Sequence, residues 1–278
     1  MQFRLVCNLM TALVLTFFGS FPAHGSGTQK SPANSSDQQP MHAVSNGGSL
    51  NVIAYNVQFG HGGTPEQFAE TLRGFAPDIV ILSEAPGGDW CNRLAASLRL
   101  EHVFVGSISS ANHRDKYKAI VSRTPLFETR EFELHHSRGW DPASAVRAVT
   151  EIDGHKIAIY AVHIAYAGEN DGHAWRLAED VLSQEPTRDV IVGGDFNTRL
   201  HQNGMRVISE HGYRAVWNDV DADLRAMTSV PEWKSDGVID HIMYRDNRSI
   251  TATAAGIIVS PKPLSDHYPV WSKLRLAF

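Results

Sequence analysis

The stretch that decides the fold is residues 50–84, where LNVIAYNV (50–57) and DIVILSE (78–84) flank TPEQFAETLRGF (64–75). The two outer runs are short and apolar, which is typical of buried strands, and the middle run has helical periodicity. Thr64 is a favoured N-cap residue, and Pro65 suits the first position of a helix. The stretch therefore predicts one β-α-β unit, with which an α/β domain begins.

Further along, the sequence is rich in strands. Tight-turn residues at Asp153-Gly154 separate two of them. Strands are predicted at 103–107, 117–122, 126–134, 145–152, 156–164, 189–193, 238–244, 250–259 and 268–276, and helices near 174–182 and 205–211. Because no polar linker interrupts residues 50–278, the pattern favours one α/β domain with two packed sheets.

The N-terminal residues are predicted to be a targeting segment and a tether. Residues 1–25 resemble a secretory signal peptide, with one basic residue, an apolar run and small residues before the cut. An uncleaved membrane anchor is the alternative, although a run of about 17 residues is short for a spanning helix. Residues 26–48 are polar and predict a flexible linker, which leaves 49–278 as the folded domain. The expected location is secreted or periplasmic.

The composition of the chain excludes some ways of binding nucleic acid and metal. The chain has 25 Lys and Arg against 30 Asp and Glu, a formal charge of −5. This balance argues against a protein that holds nucleic acid by overall charge alone. Two cysteines are too few for a disulfide framework or a thiolate zinc site, so any metal would be held by oxygen and imidazole ligands.

Polar residues of a few types stand at or near the ends of the predicted strands. The carboxyl ends of strands in α/β folds gather along one crevice, so we expect these residues to meet. Carboxylates suit Mg²⁺, Mn²⁺ or Ca²⁺, and histidines titrate near neutral pH, which together indicate phosphoester hydrolysis. The residues are Asn56, Glu84, His163, Asp195, Asn197, Asp240, His241, Asp266 and His267.

Six segments carry a resemblance to a known family. In order they are NVIAYNV (51–57), DIVILSEA (78–85), AVHI (161–164), GGDFNT (193–198), VIDHIMY (238–244) and LSDHYPV (264–270). They resemble the signature segments of the endonuclease/exonuclease/phosphatase (DNase I-like) superfamily, in a secreted bacterial type of member. The resemblance implies a four-layered α/β/β/α sandwich of two packed mixed sheets.

The resemblance also implies roles for individual residues. Glu84 would be the principal metal carboxylate, with Asn56 nearby and Asp266 in the metal shell. Asp195 and Asn197 would position the attacking water, and either His267 or Asp195 would accept its proton. Asp240 would orient His267, and His163 would support the phosphate or the departing oxygen.

Several positions remain open or depart from the family. Ser83 stands where the family commonly has Gln, which puts one hydrogen bond near the site in doubt. Lys118 and Arg147 are candidates to clamp the substrate phosphate, with an exposed cross-strand charge as the alternative. His241 is expected to point away from Asp240 and pack. His61 and His113 are expected to be solvated loop residues.

The leading hypothesis is an exported divalent-metal-dependent hydrolase of a small or lipid-linked phosphoester, acting by in-line water attack. Scattered basic residues favour such substrates over duplex DNA, and Trp140 with residues 227–234 could form an apolar wall beside the metal. A secreted DNase I-like endonuclease is the first alternative, and a binding or toxin-delivery module with little turnover is the second. A glycosidase with paired carboxylates is disfavoured by the histidines. The protein is expected to be a monomer without an obligate protein partner.

Overall fold

The computed structural model describes residues 48–135, 140–165, 170–233 and 236–277. The predicted signal peptide and almost all of the predicted linker lie outside these residues. Within the described part of the chain, no helix has the length and apolar character needed to cross a membrane.

In the described residues, twelve strands form two six-stranded mixed sheets, here called sheet A and sheet B. In each sheet one central pair is parallel, β1 with β2 and β7 with β8, and the other neighbours are antiparallel. Sheet A has the order β11-β12-β1-β2-β4-β3, with β1 Ser49–Asn56, β2 Ile79–Ala85, β3 His102–Val105, β4 Tyr117–Ser122, β11 Ile250–Ile257 and β12 Val270–Leu276. Sheet B has the order β5-β6-β7-β8-β10-β9, with β5 Phe127–Glu133, β6 Ser144–Ile152, β7 His155–His163, β8 Asp189–Asp195, β9 Tyr213–Ala215 and β10 Asp240–Arg245.

Helices flank both sheets, which gives the four layers that the resemblance implied. On sheet A, α1 (Pro65–Arg73) and α2 (Trp90–Leu98) pack their apolar faces in one core cluster with β1 and β2. On sheet B, α3 (Asn170–Arg176) and α4 (Asn203–Glu210) contribute to the larger core cluster. The predicted fold class is confirmed.

The element that opens the fold is formed as its sequence predicts. The Thr64 hydroxyl accepts a hydrogen bond from the Gln67 backbone N–H, and the Gln67 side chain accepts one from the Thr64 N–H, a complete capping box. Helix α2 and strand β9 were not predicted. Strand β9 has only three residues, too few to show an alternating pattern. Helix α2 follows Asp89, a residue type favoured at the N-cap, so its start could have been predicted.

Alternation along the strands divides sheet A into an inner face toward sheet B and an outer face toward α1 and α2. On β2, Ile79 and Ile81 join the core between the sheets, whereas Val80 and Leu82 join the core under the helices. Gly193 of β8 lies opposite: a Cβ atom there would come 2.8 Å from Ile81 Cδ1. A larger residue here would force the end of the Ile81 side chain to shift, so glycine suits this close approach of the sheets.

Arg147 lies on the outer face of sheet B, beside Tyr160 on β7. Its Nε and Nη2 atoms donate to the Glu185 carboxylate at 2.6 and 3.0 Å, and the Tyr160 hydroxyl donates to the same carboxylate. The prediction that Arg147 clamps a substrate phosphate is therefore wrong, as is the alternative of an exposed charge. Both partners of this ion pair are buried, and it fixes the Glu185–Asp189 region to β6.

We expect Arg147→Met to destabilise the fold by about 3–5 kcal/mol, because it leaves the Glu185 carboxylate buried without its partner. Burial alone would raise the pKa of Glu185, but hydrogen bonds from Arg147, Thr187 and Tyr160 lower it to about 2. The pair therefore stabilises the protein above the usual carboxyl pKa of 4.5, and this stability is lost as the pH falls through about 2. Urea denaturation at several pH values measures the loss.

Arg206→Met is the matched control, since Arg206 pairs with Glu210 on the exposed face of α4 and should cost under about 1 kcal/mol. Wild-type stability of the Arg147→Met variant at neutral pH would contradict the structural role given to Arg147.

Candidate active site

The candidate site lies between the two sheets, where the inner faces of several strands reach the same end. On β1 the inner positions Leu50, Val52 and Ala54 continue to Asn56. On β8 the inner Gly193 is followed two residues later by Asp195, and in the β8–β10 register Asp240 stands directly opposite Asp195. Strand alternation therefore delivers three of the predicted polar residues to one inter-sheet cleft.

Glu84 reaches the same cleft by a distortion of its strand. Because the alternating position Leu82 belongs to the outer core, a regular β2 would turn Glu84 toward the helices. Glu84 instead has φ +51°, and the β2–β4 register shifts between Leu82 and Ala85. The left-handed residue and the bulge redirect this carboxylate so that its Oε1 lies 3.7 Å from His163 Nε2.

Two histidines and two aspartates form the centre of the site. His267 Nδ1 lies 2.7 Å from Asp240 Oδ2, and His267 Nε2 lies 3.7 Å from Asp195 Oδ2. His163 Nε2 approaches the same Asp195 oxygen at 3.5 Å. Asp195 therefore lies between the two histidines, and Asp240 binds the other ring nitrogen of His267.

The charges in the cleft shift its pKa values. Burial, together with the nearby Asp240 carboxylate, raises the pKa of Asp195. Burial alone would lower the pKa of His267, but Asp240 and Asp195 raise it above its usual range. Burial and the positive charges of Lys118 and Lys116 hold the pKa of His163 well below its usual range, so that His163 is neutral.

Hydrogen bonds to neighbouring atoms fix these side chains. Asn56 Nδ2 donates to Asp195 Oδ2 at 2.9 Å, and the Asn197 backbone N–H donates to Asp195 Oδ1 at 2.8 Å. Asn197, with φ +50°, also donates its side-chain amide to the Ile164 carbonyl at 3.0 Å. The Ser229 hydroxyl accepts the Asp240 N–H at 3.3 Å, which holds the 228–230 segment against β10.

Ser83, the residue at which the sequence put a hydrogen bond in doubt, connects the two sheets through its hydroxyl. Its hydroxyl, on the inner face of β2, donates to the Val162 carbonyl at 2.9 Å and accepts the Asp195 N–H at 3.2 Å. One side chain of sheet A thus binds two neighbouring strands of sheet B directly beneath the site. A small hydroxyl fits this closely approached position.

The remaining predicted residues are placed as follows. Asp266 is exposed and immediately precedes His267, and its backbone N–H donates to Gln58 Oε1 at 3.2 Å. His241 is buried on the outer face, where it bonds Thr198 and Trp217, so its predicted packing role is confirmed. His61 and His113 are exposed in loops, as predicted.

Lys118 does not reach the cleft opening. It lies on β4 and is fully buried, and its ammonium donates to the Ile108 carbonyl at 2.7 Å and to Ser110 Oγ at 3.1 Å. Burial lowers its pKa to about 8. The prediction that Lys118 binds a substrate phosphate is wrong, because the loop before β4 already engages its ammonium, and the alternative of an exposed charge is wrong too.

Lys116, two residues earlier, is one of the scattered basic residues of the sequence, but it was not predicted as a site residue. Its Nζ lies 3.0 Å from Glu84 Oε1. Ile120 lies on the inner face of sheet A, so strand alternation places Lys118 and Lys116 on that face too. The contact of Lys116 with Glu84, however, depends on the bulge that redirects Glu84. Trp140, which was predicted to lie beside the site, packs against His163 in a T-shaped arrangement, with 4.9 Å between the ring centroids.

The residues of the cleft fit a divalent cation. Asp195, Asp240 and His267 each offer one ligand atom, all within 4.8 Å of one another. Among the described residues, the buried Asp240 Oδ1 has no hydrogen-bond partner. Unpaired carboxylate oxygens in a cleft with excess negative charge are the ligands that Mg²⁺, Mn²⁺ or Ca²⁺ prefer. The predicted ligands Glu84, Asp266 and Asn56 border this group.

Residues 53–267 match the family model described as the Endonuclease/Exonuclease/phosphatase family. The chain belongs to this family, whose members hydrolyse phosphoesters. No curated protein matches the chain in sequence.

Solved structures with this fold come from several organisms. An endonuclease/exonuclease/phosphatase from Beutenbergia cavernae is 19% identical and aligns over 82% of this chain and 72% of its own, with a TM-score of 0.68. A mannosyl-6-phosphatase from Bacteroides thetaiotaomicron is 19% identical over 81% of this chain and 99% of its own (TM-score 0.64). TDP2 from D. rerio, complexed with a single-strand DNA product, is 15% identical over 81% and 98% (TM-score 0.65). These likenesses show the fold.

We expect Ser83→Ala to displace Asp195, because it removes the bonds to the Val162 carbonyl and the Asp195 N–H. The loss should be about 1–3 kcal/mol of stability, and catalytic rate should fall more than substrate binding. Ser122→Ala is the control: Ser122 is also buried, pairs with Ile79 at the far end of β2 and bonds Thr124. Equal rates for the two variants, measured with urea denaturation alongside, would contradict the positioning role of Ser83.

Proposed function

We propose that this chain is an exported, divalent-metal-dependent hydrolase of small or lipid-linked phosphoesters. The observation that carries the proposal is the buried pair of His267 and Asp240, whose free imidazole nitrogen faces Asp195 at 3.7 Å. A second histidine and Glu84 border the same space. Two imidazoles and several carboxylates around one cleft suit water attack on phosphorus better than the paired carboxylates of a glycosidase.

Glu84 and Asp266, with Asn56 beside them, would hold the cation. The Asp195 group offers the tightest cluster of ligand atoms, but Asp240 and His267 already engage each other at 2.7 Å. We assign the cation to the Glu84 side because the family resemblance implies Glu84 and Asp266 as its ligands; Glu84 Oε1 is itself paired with Lys116 at 3.0 Å. When bound, a divalent cation offsets the negative charge that develops on the phosphate oxygens.

The chain's own residues would position the water and move its proton. Asp195 and Asn197 are held side by side by the bond from the Asn197 N–H, and they would orient the water for in-line attack. The proton would go to Asp195 or, when its imidazole is neutral, to His267, whose other nitrogen is held by Asp240. His163, neutral and in contact with Trp140, would donate from Nε2 to a phosphate oxygen or to the leaving oxygen.

The engagement of many basic residues within the fold favours a small or lipid-linked substrate. Lys118 and Arg147 are engaged inside the fold, and Arg93, Arg123 and Arg214 form ion pairs with acidic side chains. A duplex-binding nuclease must neutralise several phosphates at once. The fold relatives include a mannosyl-6-phosphatase and a protein complexed with a single-strand DNA product, so a secreted DNase I-like endonuclease is the alternative.

Export is part of the proposal, and the signal-like residues 1–25 support it. A single thiol remains after that segment, and burial raises the pKa of Cys91 to about 12. A protonated, buried thiol is inert, which suits an oxidising compartment.

A substrate panel tests the proposal. It comprises bis(p-nitrophenyl) phosphate, sugar phosphates, sphingomyelin, phosphatidylinositol, RNA and supercoiled plasmid, each with Mg²⁺, Mn²⁺, Ca²⁺ or a chelator. We expect turnover of small or lipid substrates that a chelator abolishes while circular dichroism shows an intact fold.

Other outcomes of the panel favour other functions. Plasmid nicking at physiological salt without turnover of small esters would favour the endonuclease, whose affinity should fall about 10³–10⁵-fold between 50 and 200 mM salt. The absence of turnover on every substrate would favour a binding or toxin-delivery module, and full activity in excess chelator would contradict the metal dependence.

We expect His267→Ala to lower the rate by about 10²–10⁴-fold, because proton transfer is lost. Asp240→Asn should lower the rate more than the affinity for substrate, since it disturbs the orientation of His267. His61→Ala, in an exposed loop, is the control and should keep the wild-type rate. Retention of more than about a tenth of the rate by His267→Ala would contradict the assignment.

A further inference from the structure

The carboxylate assigned to the cation already has a cationic partner within the chain. Lys116 Nζ lies 3.0 Å from Glu84 Oε1, and the side chains are only 20% and 10% exposed. The same oxygen faces His163 Nε2 on its other side at 3.7 Å. Glu84 Oε1 is thus shared between a lysine ammonium and a neutral imidazole.

The backbone of Lys116 is fixed by hydrogen bonds, and its ammonium stands at the end of a flexible side chain. The Lys116 N–H donates to Ser109 Oγ at 3.0 Å, and its carbonyl accepts the Ser110 N–H at 3.1 Å. Its Nζ lies 5.4 Å from the centre of the Phe59 ring, which stacks on His113 at 4.7 Å. A flexible four-carbon stem on a fixed backbone lets the charge move within the mouth of the cleft without leaving it.

We propose that Lys116 competes with the divalent cation for Glu84 and, once displaced, binds an oxygen of the substrate phosphate. A divalent cation on the Glu84 carboxylate repels an ammonium that lies 3.0 Å from Oε1, so metal binding favours movement of the ammonium away from Glu84. The Ser109 and Ser110 bonds keep the base of the side chain beside the site. Lys116 thereby weakens metal binding in the free enzyme and strengthens phosphate binding in the metal-loaded one.

This inference rests on the proposed function, and direct binding measurements separate the two. Mn²⁺ binding to the purified full chain is measured by calorimetry and by the EPR signal of free Mn²⁺. The variants are Lys116→Met, which removes the charge and keeps the apolar stem, and Lys116→Arg, which keeps the charge. Lys156→Met is the control, because Lys156 pairs with Glu128 on the exposed strand β5.

We expect Lys116→Met to bind Mn²⁺ about tenfold more tightly than wild type, and Lys116→Arg and Lys156→Met to bind it as wild type does. At saturating Mn²⁺, inorganic phosphate should bind Lys116→Met about tenfold more weakly. Circular dichroism melting confirms that each variant is folded, and Lys116→Arg keeps the test valid should Lys116→Met fail to fold.

Each contrary result has one meaning. Unchanged or weaker Mn²⁺ binding by Lys116→Met would overturn the competition, and unchanged phosphate binding would overturn the second role. If Lys116→Met does not fold, Mn²⁺ or phosphate binding by Lys116→Arg that differs from wild type by more than about tenfold would overturn the inference, because that variant retains the charge. If wild type binds no divalent cation at all, the proposed function itself fails.

Discussion

The close approach of the two sheets at Gly193 and Ser83 is the constraint on which the site depends. Gly193 removes the side chain that would hold Ile81 away, and the Ser83 hydroxyl then binds the Val162 carbonyl and the Asp195 N–H across the gap. Residues from opposite sheets can therefore share one cleft only because no bulky group separates them. Gly194, the next residue, is required for a different reason: it has φ +138°, and a Cβ would fall 2.0 Å from the Val162 carbonyl oxygen on the neighbouring strand β7 of the same sheet.

The cleft also brings together carboxylates that repel each other. Asp195 and Asp240 face each other on adjacent antiparallel strands, and like charges in that register are unfavourable. Asn56 and His267 offset part of the repulsion, and Lys116 offsets that of Glu84. The left-handed backbone of Glu84 adds local strain. Stability given up within the cleft is compensated by the two apolar cores on either side of sheet A.

Alternation explains which parts of the site could be predicted from the sequence. Asn56, Asp195 and Asp240 follow it, so their strands and their shared face were foreseeable. Glu84 was found because it ends a predicted strand, although regular alternation would turn it the wrong way. Arg147 was misassigned. It pairs with Tyr160, and Tyr160 and His163 are an odd number of positions apart along β7, so Arg147 lies on the face opposite to that of His163. The partners of Lys116 and Lys118 depend on the loop at residues 108–116, whose Ala111 and Asn112 have positive φ angles that composition does not reveal.

The position of β12 carries a consequence for how the protein folds. This strand lies between β11 and β1, and the Ser265 hydroxyl just before it bonds the Asn56 carbonyl from 209 residues away. Contacts of such long sequence separation form slowly, since a large loop must close before they stabilise anything. Until Val270–Leu276 has inserted, β1 lacks one neighbour and His267 lacks its place beside Asp240. The candidate active site therefore forms late in folding. A partly folded chain contains the residues of the cleft but does not yet hold them together.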